Sequence, residues 1–138
     1  MHVNRRTIRI EWGDCDPAGI VYFPRYIEYC DACTAYLFES ALGLTKQAML
    51  KRYEMAGFPM VDLQARFLIP SVFGDDVIAE STIAEFGRSS FTVLHRLLKS
   101  EALAVEVHEK RVWTVYDPEN PGRLKSQAIP DEVKAALS

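Results

Sequence analysis

Between Pro24 and Gly43 the apolar residues recur with the period of a helix. Tyr26, Cys30, Cys33, Leu37, Ala41 and Leu44 follow at steps of three or four, and Tyr29, Tyr36 and Phe38 widen the stripe. Pro24 suits the first helical position, where its missing N–H has no intrahelical partner to lose. Gly43 is a good stop. The spacing therefore predicts one helix over 24–42, about 28 Å long at ~1.5 Å per residue. A helix with one apolar stripe must lie on something, and most of the remaining chain reads as strand.

Residues 7–12 alternate, with Ile8, Ile10 and Trp12 on one side and Thr7, Arg9 and Glu11 on the other. Residues 45–54 read as a short second helix with Thr45 as N-cap, closed by Gly57 and Pro59. Four strand-like runs follow, at 60–69, 77–86, 90–99 and 103–117. They are separated by turns at Phe73-Gly74-Asp75-Asp76, Gly87-Arg88-Ser89 and Ser100-Glu101. The last run is about 50 Å if unbent, so it is expected to curve. Pro118 and Asn120-Pro121-Gly122 end it, and 130–137 reads as a C-terminal helix. The order β–α–(α)–β–β–β–β implies an α+β architecture, in which consecutive strands form hairpins. One long helix then covers one face of a curved five-stranded antiparallel sheet.

A length of 138 residues suggests a single domain over 1–138, with no repeat or linker. A net charge of −3 argues against a broad nucleic-acid surface. No apolar run is long enough to span a bilayer. The basic start, Met1 to Arg6, is not followed by an apolar signal segment. Three cysteines without a disulfide framework fit a reducing compartment, so a cytoplasmic protein is expected.

The chemistry concentrates in residues 11–24, Glu-Trp-Gly-Asp-Cys-Asp-Pro-Ala-Gly-Ile-Val-Tyr-Phe-Pro. Two carboxylates, Asp14 and Asp16, sit where a strand hands over to a helix, a junction that can hold an anion beside unpaired N–H groups. Phe23 and Arg25 are the free donors expected there, because Pro24 has none. On the residues alone, Asp16 before Pro17 reads first as a turn former. Cys30-Asp31-Ala32-Cys33 has the spacing of a redox or metal motif, but it lies inside the apolar stripe with no second pair, so core thiols are expected. His2, His95 and His108 are scattered, with His95 and His108 on neighbouring strands, and no HExxH motif occurs. Neither a metal site nor a Ser-His triad is expected.

Gly13-Asp14-Cys15-Asp16-Pro17-Ala18-Gly19-Ile20-Val21-Tyr22-Phe23-Pro24, followed by Tyr26 and then Asp31-Ala32, closely resembles the signature of the hotdog-fold acyl-CoA thioesterases. The best match is the 4-hydroxybenzoyl-CoA thioesterase family. The resemblance runs over nearly the whole chain, with weaker matches at Phe67, Asp75-Asp76-Val77, Glu85, Arg88 and Ser90-Phe91. It implies a hotdog fold and hydrolysis of an acyl-CoA, with an aromatic acyl group among the candidates, to carboxylic acid and free CoA. It places the catalytic carboxylate, nucleophile or general base, at Asp16 and the oxyanion donor at the Phe23 N–H. Asp14 then holds the loop. Tyr22 and Phe23 would wall the acyl pocket, and Asp31 would lie near a ring hydroxyl of the substrate.

CoA phosphates need a basic side chain on an exposed loop, and Arg88 is the best candidate. The relatives have a more basic turn there, whereas Gly87 and Ser89 flank Arg88 in this chain. Phosphate contacts from Arg123 or Lys125, or a different thiol carrier, are the consequences to weigh. The resemblance implies no cofactor beyond CoA as part of the substrate. It also implies sheets paired edge to edge with the site at a dimer interface, a dimer of dimers, and Arg88 serving the partner's site. The rival readings are an acyl-carrier-protein thioesterase, a hydratase and a non-catalytic acyl-CoA-binding protein. A hydratase would be expected to use a histidine that the loop lacks. A binding protein would not need Asp16.

Overall fold

The structure is a computed structural model that describes all of residues 1–138. Strand β1 is Asn4–Arg9 and helix α1 is Pro24–Leu42. A short helix α2, Lys46–Arg52, leads to four strands, β2 (Met60–Phe67), β3 (Asp76–Phe86), β4 (Ser90–Lys99) and β5 (Ala102–Val112). A small ribbon of β6 (Thr114–Tyr116) and β7 (Leu124–Ser126) precedes helix α3, Asp131–Leu137.

The five long strands form one antiparallel sheet in the order β1-β3-β4-β5-β2, so β1 and β2 are its edges. This is the expected α+β layout, a long helix wrapped by a five-stranded sheet. Helix α1 has 19 residues and ends as expected, with Gly43 at φ 71° donating its N–H to the Glu39 carbonyl at 2.8 Å. Thr45 caps α2 by accepting the Ala48 N–H at 3.1 Å.

Two expectations change. The first strand begins earlier and ends at Arg9. Ile8 and Ile10 are buried as expected, but Trp12 is 76% exposed. The Asp14 N–H donates to the Glu11 carbonyl, and the Asp14 carboxylate accepts the Glu11 N–H, both at 3.0 Å. That exchange winds residues 12–14 into a 3₁₀ turn and breaks the alternation before Trp12. The long final run is also not one strand. It turns a corner at buried Trp113, whose N–H goes to Ser89 and whose carbonyl accepts from Gln127. The chain beyond it pairs with β7 instead of extending the sheet.

The core under α1 has two apolar parts. One gathers Ile8, Ile10, Val21, Tyr26, Cys30, Cys33, Val77, Ala79, Leu97 and Val107 around the start of the helix. The other gathers Leu37, Phe38, Met49, Phe58, Phe91, Val93, Trp113 and the C-terminal helix. Between them lies a layer of buried polar groups. Thr34 comes from α1, Ser81 from β3, His95 from β4, and Glu109 and Arg111 from β5. Each sits on its own element beside members of the apolar clusters, as Ser81 does between Ala79 and Ile83.

Candidate active site

The junction loop is a tight, backbone-held hairpin. Cys15 bridges Val21, the Asp16 N–H donates to the Ile20 carbonyl at 3.0 Å, and the Tyr22 N–H donates to the Asp14 carbonyl at 2.8 Å. At its tip the Asp16 carbonyl accepts the Gly19 N–H at 2.9 Å, and Gly19 takes φ 84°, a left-handed value that favours glycine. The Val21 N–H donates to Ser71, which ties the hairpin to the segment before β3.

The two carboxylates are held differently. Asp14 is occupied: one oxygen accepts the Glu11 N–H, and Arg25 lies 3.8 Å from the other. Behind it the Tyr29 hydroxyl is buried and its pKa is raised, first by burial and then by the Asp14 charge. Asp16 spends one oxygen on the Ala18 N–H at 2.9 Å, a turn-forming contact, and its other oxygen has no protein partner. Asp14 thus holds the loop, and one Asp16 oxygen is left without a partner in the chain. Asp16 lines an open hollow of about 400 Å³ with Trp12, Cys15, Pro17, Gly19 and Phe73. Trp12 and Phe73 meet edge to face at 5.6 Å beside it.

The helix start resolves which donor is free. The Arg25 N–H donates to the Tyr22 carbonyl at 2.8 Å and the Tyr26 N–H to the Phe23 carbonyl at 3.1 Å. The Phe23 N–H has no acceptor in the chain. Of the two expected donors, then, Arg25 is already used and Phe23 remains. Phe23 also lines an apolar cleft of about 320 Å³ with Ile20, Val21, Tyr26, Phe67, Leu68, Ile69 and Pro70. Phe67 of β2 meets Phe23 edge to face at 6.2 Å and packs tilted against Tyr26 at 5.7 Å. Tyr22 is exposed and packs edge to face on Phe23, but it does not line the cleft. Gly19 and Ile20, adjacent in sequence, each line one of the two hollows.

Asp31 and Arg88 are elsewhere. Strand β3 leaves the loop end at Asp76, beside Ile10 and Asp75, and reaches the Arg88 turn after about 33 Å at ~3.3 Å per residue. Arg88 is therefore at the opposite end of the sheet from Asp16. Asp31 lies part-way along α1, where it is bound by Arg111 Nη2 at 2.8 Å; the Arg111 backbone is level with Phe91 of β4 and Met60 of β2. One chain thus places Asp16, Tyr22 and Phe23 at one end, Arg88 at the other and Asp31 part-way between. Arg123 and Lys125, weighed as further phosphate contacts, lie on or next to β7, off the main sheet.

Sequence reasoning missed the buried polar layer. His95 Nδ1 shares a 2.7 Å hydrogen bond with Ser81 Oγ, and its Nε2 is 3.1 Å from both Thr34 Oγ1 and Glu109 Oε1. Thr34 already donates its hydroxyl proton to Glu109 at 2.5 Å, which makes His95 Nε2 the donor toward this pair. Arg111 brackets Glu109, with Nε to Oε1 at 3.0 Å and Nη2 to Oε2 at 3.1 Å, and its Nη1 donates to the Phe58 carbonyl at 3.2 Å. Burial pushes the Glu109 carboxyl up, but hydrogen bonds from His95 and Arg111 outweigh it and hold the pKa below the usual range. The serine, histidine and glutamate resemble a hydrolytic triad in composition. All three are sealed in the core, so no substrate carbonyl can reach Ser81. A signal was present in the sequence: His95, Glu109 and Arg111 fall on the inward phase of their strands, where buried polar groups must be paired. His95 and His108 do not pair across β4 and β5, because the register sets His95 against Val107. Cys30 and Cys33 are buried, as expected of core thiols, and burial raises both pKa values.

Comparison with known proteins bears on the family and the fold. Residues 10–137 match the model of the thioesterase-like superfamily. The chain is 34% identical to the 4-hydroxybenzoyl-CoA thioesterase of Pseudomonas sp. (strain CBS-3), over 88% of each chain. It is 30% identical to a 1,4-dihydroxy-2-naphthoyl-CoA hydrolase of Synechococcus sp. (strain WH7803), over 67% of this chain and 63% of that one. Among solved structures it is similar to an aspartate-to-asparagine mutant of a 4-hydroxybenzoyl-CoA thioesterase complexed with 4-hydroxybenzoyl-CoA. The TM-score is 0.90 at 26% identity, with all of both chains covered. No helix is long and apolar enough to cross a membrane. With its long helix, five-stranded sheet and matching sequence, the chain belongs to the thioesterase-like superfamily and has the hotdog fold.

Proposed function

We propose that this protein hydrolyses an aromatic acyl-CoA, with Asp16 as the catalytic carboxylate and the Phe23 N–H as the oxyanion donor. As a member of its family the chain is a thioester hydrolase. The observation that carries the assignment is that one junction leaves both an Asp16 oxygen and the Phe23 N–H without a partner in the chain. The 28 Å helix aligns its dipole behind that N–H, and a donor of this kind is worth about 3 kcal/mol to a developing oxyanion.

Two routes share the geometry. In one, Asp16 attacks the thioester carbon, CoA leaves as thiolate, and water hydrolyses the mixed anhydride. In the other, Asp16 takes a proton from water as that water adds to the carbon, and the proton passes to the departing thiolate. Both use protein groups and water. A single turnover in oxygen-18 water separates them, since only the anhydride route leaves label in the Asp16 carboxylate.

The two ends of the chain become one site in a two-fold dimer. Edge strand β2 presents Val61, Leu63 and Phe67 to solvent, and Leu68 just after it is exposed too. Trp12, Ile20, Tyr22, Phe23 and Phe73 are exposed around the loop, and apolar surface on this scale fits an interface. Pairing β2 antiparallel with its own copy sets Met60 of one chain near Phe67 of the other. The Arg88 end of each subunit then faces the Asp16 end of its partner, and the middle of α1, with Asp31, faces the partner's loop. Within one chain, Asp31 is about 12 Å along α1 from Phe23 at ~1.5 Å per residue, roughly twice the carbonyl-to-hydroxyl span of a 4-hydroxybenzoyl group. Asp31 is thus suited to the acyl group in the partner's cleft, and Arg88 to the CoA phosphates there. Two such dimers would assemble back to back as a tetramer.

A thiol-release assay over a panel of CoA esters, wild type against Asp16→Ala, tests the reading. Turnover of an aromatic ester that collapses in the variant supports it. Binding of acyl-CoA by both proteins without thiol release from either refutes the enzyme, and full activity of Asp16→Ala refutes the residue.

A further inference from the structure

We infer that Arg111 is a positioning residue that holds Asp31 as a preformed acceptor for a hydroxyl on the acyl group, so that the buried polar layer sets substrate selectivity. The inference rests on the proposed function and adds to it a residue and a mechanism of discrimination.

The two partners differ sharply in surroundings. The Arg111 side chain is 4% exposed and that of Asp31 is 60% exposed. An aspartate this exposed on a helix ordinarily samples several rotamers. Here one oxygen is pinned by Arg111 Nη2 at 2.8 Å, while the other makes no hydrogen bond within the chain. Arg111 cannot follow Asp31 outward, because its guanidinium is anchored at three further points, twice to Glu109 and once to the Phe58 carbonyl. Glu109 is fixed in turn by Thr34 and His95. The anchored fork thus fixes where the free Asp31 oxygen points before any ligand arrives.

A preorganised, charged acceptor favours a ligand that brings a hydrogen-bond donor and disfavours one that leaves it desolvated and unpaired. The acyl class selected is an aromatic group with a hydroxyl remote from its carbonyl. The guanidinium does two jobs at once. It tethers α1 to β5, and it spends only one Asp31 oxygen in doing so. A purely structural bridge would need the tether alone, and substrate selectivity separates the two.

The test measures kcat and KM for benzoyl-CoA, 4-hydroxybenzoyl-CoA and 1,4-dihydroxy-2-naphthoyl-CoA. The proteins are wild type, Asp31→Asn, Arg111→Gln, Arg111→Lys and the Asp31→Asn/Arg111→Lys double variant, each with a thermal melt. Wild type is expected to prefer a hydroxylated ester. Asp31→Asn and Arg111→Gln should each lower that preference about tenfold, through KM more than kcat, as expected for loss of a hydrogen bond to a charged group. Arg111→Lys should restore part of it. The double variant should fall no lower than Asp31→Asn, because both changes remove one device. Equal loss on all three esters by folded Arg111→Gln, or additive losses in the double variant, overturns the inference. If Arg111→Gln does not fold, the cycle built on Arg111→Lys decides alone. A wild type that turns over the esters without preference also overturns it while leaving the thioesterase reading intact. A wild type that turns over none of them defeats that reading itself.

Discussion

The two ends of this molecule solve opposite problems. At the Asp16 end the side chains that matter are half-buried or exposed, and backbone hydrogen bonds hold them: a 3₁₀ turn, a hairpin closed by Gly19, and a helix start whose Arg25 and Tyr26 N–H groups are spent while that of Phe23 is not. At the Arg111 end the charged groups are buried, and they hold one another side chain to side chain. A half-buried carboxylate that makes one turn hydrogen bond on a rigid backbone can be changed with little structural cost. A buried carboxylate between a histidine and an arginine cannot, because removing one partner strands the other. Chemistry and stability should therefore come apart between the two ends, and mutations can test that separation.

The largest effect is expected on catalysis. Asp16→Asn should lower kcat by about 10³-fold or more while leaving the melting midpoint nearly unchanged, since Asp16 contributes one turn hydrogen bond to the fold. Steady-state thiol release and a thermal melt on the same preparation check both. A large fall in the midpoint would break the contrast between the ends.

Glu109→Gln should do the reverse. Loss of the charge leaves Arg111 buried without its main partner and should cost about 3–5 kcal/mol of stability, read from denaturant midpoints. The sign of its pH dependence follows from the depressed pKa. Glu109 adds stability that is fully present above its ordinary value of 4.5 and is lost as pH falls through the lower folded-state value. The stability gap between wild type and Glu109→Gln should thus be full at neutral pH and close in that acid window. A gap that widens on acidification would contradict the network.

Gly19→Ala falls between these. An added methyl would touch nothing within 4 Å, so the cost is conformational, from φ 84° alone. About 1–2 kcal/mol is expected for forcing a side chain into that region. Activity should fall more than the melt suggests, because Asp16 closes its turn on the Gly19 N–H.

The smallest effect belongs to Arg88. Arg88→Ala should raise KM for a CoA ester a few-fold, more so at low salt, without affecting stability, as expected for an exposed cation. Mixing it with Asp16→Asn protein sharpens the two-fold arrangement. A mixed dimer would carry one doubly altered site and one fully wild-type site, so in an equal mixture about half of the sites that keep Asp16 should recover wild-type KM. Failure to recover it would place Arg88 outside the partner's site.

Much of the architecture was legible because its signals are local. The α1 stripe, Pro24 and Gly43 at its ends, the Thr45 cap and the hairpin turns each depend on a few neighbouring residues, and the structure reproduces them. The signal failed where a distant partner intervened. Trp12 left its alternation because Asp14 and Glu11 exchange hydrogen bonds, and the final strand broke at Trp113 because Ser89 and Gln127 claim its backbone. The candidate site divides in the same way. Asp16 and Phe23 lie in one contiguous motif, whereas Tyr22 adjoins the cleft without lining it, because neighbouring side chains diverge at the helix start.

The sequence by itself determined the strand and helix order, the junction loop with its two aspartates, and the family signature they carry. These follow from periodicity and turn chemistry within short stretches of chain. Only the tertiary structure decided that the Phe23 N–H is left free while Arg25 is used, and that Thr34, Ser81, His95, Glu109 and Arg111 form one buried layer. It alone also set Arg88 a sheet's length from Asp16, with Asp31 part-way along α1. Hydrogen-bond partners and distances between elements depend on strand register, and register is set by the packing of all five strands against one helix.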